Sequence, residues 1–266
     1  MSYNVSVLQY LPALLKPREN LEKVAAMIQD LHSDLVVLPE LAFSGYVFSS
    51  REEVAQVAES IPGGECFNAL RELSRSRAVS ICYGFPELHK GEYYNSCALV
   101  NPDGTYHVYR KVHLFYREKL FFSPGDIPFF VCEAKNGIRV GMMICFDWQF
   151  PESARSLALR GAQIICHPSN LVLPWCQEAM KTRSLENRVF SITSNRVGTE
   201  TNGELSEYFT GGSQILGTKG EILIRMNETE EAIYTVQIDP ELAANKQVTK
   251  HNNAFGDRRP SMYFLP

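Results

Sequence analysis

Three residues of this chain have side chains that can act together on a carbonyl or nitrile carbon: Glu40, Lys111 and Cys145. Each closes an expected strand, in LVVLPE, YHVYRK and VGMMIC. A thiol becomes a strong nucleophile once it loses its proton. A carboxylate in reach can take that proton and later activate a water. An ammonium can stabilise the oxyanion that forms when sulfur attacks. Such a set needs no histidine base. A helix is expected from Pro151, and its N-terminus near Cys145 is expected to favour the thiolate.

Taken singly, each residue has an ordinary structural reading. Buried cysteines are usually small core hydrophobes, which suits Cys82, Cys97 and Cys132 on expected strands. Glu40 after Pro39 could be a loop acid, and Lys111 beside Arg110 could be a solvated lysine. Cys166-His167 looks like a thiol–imidazole pair, but neighbours on a strand point to opposite faces, so a structural role is expected. Trp148 and Trp175 read as packing residues, either of which could wall a pocket. What sets the three apart is their shared position at strand ends. In α/β sheets ligands collect outside the carboxyl ends of strands.

The elements that must position them follow from pattern. A strand is expected at Val5–Gln9 and a helix at Pro17–Leu31, where Leu21, Val24, Ala25, Ile28 and Leu31 share a face. DLVVLPE is wholly apolar, as in a strand buried on both faces. Residues 53–77 read as helical with a break at IPGGE. VSICYGFPE and SCALV read as strands, NPDG as a turn, and TYHVYRKVHLF as a hairpin partner. FFSPGDIPFF is a loop and IRVGMMIC a buried strand. Helices at Pro151–Arg160 and Pro174–Asn187 flank the strand AQIICHPSN. Residues 190–238 are mostly strands, followed by a short helix and an aromatic tail. The alternation without a break in composition implies one α/β domain over residues 1–266.

The chain has 266 residues, of which 45% are hydrophobic and 21% charged, enough apolar surface for a large core. A net charge of −4 and the lack of a long basic run argue against nucleic acid or an anionic membrane as partner. No apolar run is long enough to span a bilayer. The first residues lack the features of a signal peptide. The seven cysteines are an odd count and suggest reduced thiols in a cytoplasmic protein. With no C-x-x-C and no histidine pair at metal spacing, no zinc site is expected.

Together, LVVLPELAFSGY, YRKVHLFYREKLFFSPG and VGMMICFDWQFPESAR resemble the three ordered blocks of the nitrilase superfamily, the carbon–nitrogen hydrolases. The similarity continues through HPSN, RSLENRVF and the tail. The resemblance implies that Glu40 is the general base, Lys111 the oxyanion-stabilising lysine and Cys145 the nucleophile. It implies that Glu118 positions substrate and lysine, that the Phe146 N–H completes the oxyanion site, and that Tyr46, Trp148 and Asn170 line the pocket. Its fold would be a four-layer α-β-β-α sandwich with mixed sheets. No cofactor or metal is implied. The expected partner is a small amide, carbamoyl amine or nitrile, with a second copy of the chain in a homodimer. The tail at residues 245–266 is expected in that interface.

Relatives that act on carboxylate-bearing substrates tend to place an arginine shortly after the cysteine, where it can fork onto the carboxylate. Here Asp147, Trp148, Gln149 and Phe150 follow, and the first arginine is Arg155. The expected substrate is therefore a small linear amide or N-carbamoyl amine without a gripped α-carboxylate. Small aliphatic nitriles are the second reading. A non-catalytic binding protein on the same fold is the third, and the intact set of four residues speaks against it.

Overall fold

The computed structural model describes residues 2–263. The first of its two large sheets holds six strands. They are Tyr3–Gln9 (β1), Leu35–Val37 (β2), Ser80–His89 (β3), Glu92–Val100 (β4), Tyr106–Arg110 (β5) and Ala232–Ile238 (β14), in the order β14-β1-β2-β3-β4-β5. β2 lies between β1 and β3, parallel to both. Its side chains are buried throughout, as its unbroken apolar run requires. β4 and β5 are antiparallel hairpin partners. β5 therefore runs in the same direction as β2, and their carboxyl ends share one edge.

The second sheet also has six strands. They are Val131–Ala134 (β6), Ile138–Met142 (β7), Ile164–Pro168 (β8), Phe190–Ser194 (β9), Gln214–Leu216 (β12) and Ile222–Arg225 (β13), in the order β13-β12-β9-β8-β7-β6. β7, β8 and β9 are parallel. A separate hairpin, Val197–Asn202 (β10) with Leu205–Thr210 (β11), follows β9. A short pair, Gln247–Thr249 (β15) and Asn252–Asn253 (β16), lies in the tail.

The sheets pack face to face. Val5, Val7, Leu35, Val37, Cys82 and Cys97 from the first share a core with Val140, Met142, Ile164, Cys166 and Ile192 from the second. Helices Pro17–Ile28 (α1) and Glu65–Arg77 (α3) cover the outer face of the first sheet, burying Val24, Ile28, Phe67 and Leu70 against Leu8, Val36 and Ile81. The short helix Arg51–Val57 (α2) packs near the site with Phe48, Leu114 and Phe122. Pro151–Leu159 (α4) and Cys176–Asn187 (α5) cover the second sheet through Ala154, Leu157 and Met180. The result is an α-β-β-α sandwich with mixed sheets. Tyr10 and Arg196 bridge the two sheets in parallel, so the carboxyl ends of β1 and β9 meet at the same edge.

Several element ends differ from expectation. α1 stops at Ile28, three residues before Leu31. β1 starts two residues earlier, at Tyr3. α5 starts at Cys176. β6 has no strong apolar alternation in the sequence and gains its place by pairing with β7. Of the tail at residues 245–266, residues 264–266 lie outside the described residues. Among the described residues no helix is long and apolar enough to cross a membrane.

Candidate active site

Glu40, Lys111 and Cys145 come together at the shared edge, each one to three residues past its strand. The strands hold the backbone, and the turns beyond them aim the side chains inward. Lys111 is fully buried, as is Glu40. The Lys111 Nζ donates to Glu40 Oε1 at 2.6 Å and to Glu118 Oε1 at 2.7 Å. A buried lysine between two buried carboxylates is paired on both sides, which offsets the cost of removing its charge from water. Burial disfavours that charge, but Glu118 and Glu40 outweigh it and hold the ammonium protonated.

Glu118 has a different setting. It is the inward residue of a short 3-10 turn, Tyr116–Leu120, while its neighbours Lys119 and Leu120 face solvent. Besides Lys111 it accepts from the Tyr46 hydroxyl at 2.9 Å and from the Phe115 N–H at 3.2 Å. Burial is the largest influence on its carboxyl and raises the pKa to about 7, with Lys111 opposing the rise. Glu40 accepts a further bond from Asn95 Nδ2 at 2.7 Å, also on Oε1. Its Oε2 is buried and has no hydrogen-bond partner among the described residues. That oxygen is the atom able to take a proton.

The nucleophile candidate sits on a sharp turn. β7 ends at Met142, and a 3-10 turn runs from Cys145 to Gln149. Cys145 has φ +40°, a left-handed conformation that a residue with a side chain rarely adopts. Asp147 pins this turn. Its Oδ2 accepts from the Ile144 N–H and the Tyr109 hydroxyl, each at 2.8 Å. Its Oδ1 lies 2.7 Å from His113 Nδ1 and accepts from the His113 N–H at 3.2 Å. One carboxylate thus ties the cysteine turn to the segment that carries Lys111. Asp147 is thereby a structural anchor of both segments.

α4 starts shortly after the Cys145 turn, while the immediate surroundings of the thiol favour its protonated form. Burial pushes the Cys145 thiol well above its usual range, Glu40 adds to this, and Lys111 opposes it. The thiol instead donates a weak bond to the Asn170 carbonyl at 3.6 Å.

Beside the thiol lies a cavity of about 20 Å³, lined by Phe115, Cys145, Phe146, Trp148 and residues 170–173. Its walls are apolar except for Asn170, whose Nδ2 and Oδ1 are buried and unpaired among the described residues. Phe146, Trp148 and Asn170 thus lie beside the thiol. Tyr46 is half-buried on the Glu118 side, where a second cavity of about 220 Å³ opens. Its hydroxyl is spent on Glu118, so it supports the acid more than it lines the space beside the thiol. Trp175 is exposed.

Several residues that shape the site are not evident from sequence. Glu200, on β10, accepts from the Tyr46 and Val47 N–H groups at 2.7 and 2.6 Å and from Arg196 at 2.6 Å. It fixes the loop that carries Tyr46. Asn95 is hidden in an ordinary strand, and its role rests on pairing across β3 and β4. His167 grips the Cys145 carbonyl at 2.9 Å. All seven cysteines are buried and free of disulfides, with Cys82, Cys97 and Cys132 in the core as expected.

Comparison with known proteins agrees with this geometry. The family model described as carbon-nitrogen hydrolase matches residues 4–247. A protein of Pyrococcus abyssi named nitrilase is 44% identical over 98% of this chain and 98% of its own. The N-carbamoylputrescine amidase of Solanum lycopersicum is 30% identical over 91% of this chain and 86% of its own. Among solved structures, a carbon-nitrogen hydrolase from Helicobacter pylori superposes with a TM-score of 0.86 at 27% identity, covering 99% of this chain and 97% of that one. The chain belongs to the carbon–nitrogen hydrolases of the nitrilase superfamily and is a hydrolase of carbon–nitrogen bonds.

Proposed function

We propose that the chain hydrolyses a small linear amide or N-carbamoyl amine, uncharged near the reacting carbon, through a thioester on Cys145. The observation that carries this reading is the buried Lys111 held between Glu40 and Glu118, with the charges of all three acting on the Cys145 thiol.

These groups act in sequence. The Cys145 sulfur attacks the carbonyl carbon while Glu40 Oε2 takes the thiol proton. The oxygen that gains charge faces the Lys111 ammonium and the Phe146 N–H. Glu40 passes the proton to the departing nitrogen, and ammonia leaves a thioester behind. Glu40 then takes a proton from water, the hydroxide attacks the thioester, and the proton returns to sulfur as the acid is released. An amide and water become an acid and ammonia. A carbamoyl substrate gives an amine, carbon dioxide and ammonia. Glu118 holds Lys111 in place and touches no reacting atom in these steps.

The apolar walls beside Cys145 support an uncharged substituent, and among the described residues that line this cavity there is no arginine to grip a carboxylate. Nitrile hydrolysis is the second reading, favoured by the 44% identity to a protein named nitrilase. The two separate in an ammonia assay over amides, carbamoyl amines and nitriles, with Cys145→Ala as control. Release from amides or carbamoyl amines supports the first reading, and release from nitriles alone overturns it.

The chain is further proposed to act in the cytoplasm as a homodimer. Seven unpaired cysteines support the compartment. Leu159 on α4, Leu185 on α5, and Met262 and Tyr263 in the tail are exposed apolar side chains that a second copy could cover.

A further inference from the structure

His167 takes no part in the steps above, yet it is fully buried against the nucleophile. It lies in β8, whose neighbour β7 leads into the Cys145 turn. Its Nε2 is 2.9 Å from the Cys145 carbonyl oxygen, and its Nδ1 is 3.1 Å from Thr193 Oγ1. A carbonyl oxygen only accepts, so Nε2 carries the hydrogen. Nδ1 is then the acceptor and Thr193 the donor. The Ser169 hydroxyl donates to the His167 carbonyl at 3.2 Å and lies 3.2 Å from Nε2, farther than the Cys145 carbonyl, which is the nearer acceptor for that hydrogen. Burial lowers the imidazole pKa to about 4, which keeps this neutral tautomer in place near neutral pH.

The Cys145 carbonyl and the Phe146 N–H belong to one peptide group, which is planar and trans. Turning that plane swings both together. The first hydrogen bond of the turn runs from the Asp147 N–H to the Ile144 carbonyl at 3.0 Å, so the Phe146 N–H precedes the ladder. The φ of +40° at Cys145 is not a conformation that the chain keeps without help.

We propose that His167 is a positioning residue, which grips the Cys145 carbonyl and thereby aims the Phe146 N–H at the oxyanion. The proposal rests on the reading of Cys145 as nucleophile. His167 itself touches no substrate.

Two reactions of the same sulfur test it. Iodoacetamide alkylates the thiol by displacing iodide from a saturated carbon, and no oxyanion forms. Hydrolysis of propionamide or propionitrile needs the donor. His167→Leu is expected to lower kcat on the order of 100-fold, the scale of a lost oxyanion donor. KM and the rate of Cys145 alkylation should stay close to those of the parent. His167→Gln, which keeps an N–H of similar reach, should restore much of kcat. Thr193→Val keeps the ring but frees its tautomer, and should lower kcat with alkylation unchanged. That variant carries the test if His167→Leu does not fold. Parallel losses of hydrolysis and alkylation would overturn the proposal, as would full hydrolysis by His167→Leu or Thr193→Val. Hydrolysis retained in Cys145→Ala would instead bring down the nucleophile reading on which the proposal stands.

Discussion

At the residue scale, the central feature is a lysine that cannot be separated from its carboxylates. Lys111→Ala would leave Glu40 and Glu118 facing each other in the interior without their cation. Removing one partner of a buried pair costs about 3–5 kcal/mol. The expected outcome is loss of ammonia release together with a lower melting temperature by calorimetry. An active Lys111→Ala variant would contradict the role given to the ammonium. His167 makes a second prediction, with a definite sign. Its pKa falls from 6.5 to about 4 on folding, so the unfolded chain binds the extra proton between those values. The stability that it contributes is full above pH 6.5 and is lost as pH falls toward 4, to a limit of about 3 kcal/mol. Glu118 runs the other way, since its pKa rises from 4.5 to about 7 on folding, and its contribution is lost as pH rises through that range. Replacing His167 by Gln leaves the Glu118 effect unopposed. The stability gap between parent and His167→Gln should therefore widen from pH 5 to pH 7 in denaturant titrations, and parallel profiles would contradict the neutral buried ring.

At the element scale, the strands bring the site together and close backbone approaches set its dimensions. Gly84 on β3 lies against the turn that carries Glu40. A Cβ there would meet the Glu40 Cα and the Leu41 N at 2.5 Å. Gly125 packs on the far side of Lys111, where a Cβ would lie 2.2 Å from the Arg110 oxygen. Overpacking of this kind costs about 1–3 kcal/mol. A shift of about 1 Å in a catalytic group can cost on the order of 100-fold in rate. Gly84→Ala is thus expected to lower kcat far more than Gly256→Ala, where a Cβ meets nothing nearer than 3.5 Å. Equal activities would show that the Glu40 turn is not held by β3. The same elements explain what sequence could and could not say. β2 and β7 were legible from their apolar runs and β5 as the hairpin partner after the NPDG turn, and the three candidate residues stand just beyond them. Glu118 reads as a solvated acid between Arg117 and Lys119, and only the 3-10 turn points it inward. Glu200 lies in the polar stretch TETNGELSE, and its contacts with Tyr46 and Val47 span more than 150 residues. Local pattern carries no trace of such a pairing.

At the scale of the whole molecule, two sheets with one shared carboxyl edge make a single place where acid, amine and thiol meet. The four-layer arrangement implied by the family resemblance is the one observed. The pairing of the strands, the bridge between Tyr10 and Arg196 and the anchoring by Asp147 depend on contacts distant in sequence. The exposed apolar residues on α4, α5 and the tail lead to a further expectation. Light scattering should give a mass about twice 30.1 kDa, and charged substitutions at Leu159 and Leu185 should shift it toward the single chain. A monomeric parent would contradict the proposed dimer. The central claim is tested most directly by rapid acid quench during turnover, followed by digestion and mass spectrometry. The account predicts an acyl group on the Cys145 peptide alone, absent from Cys145→Ala. An acyl group on any of the other six cysteines, or undiminished turnover by Cys145→Ala, would contradict it.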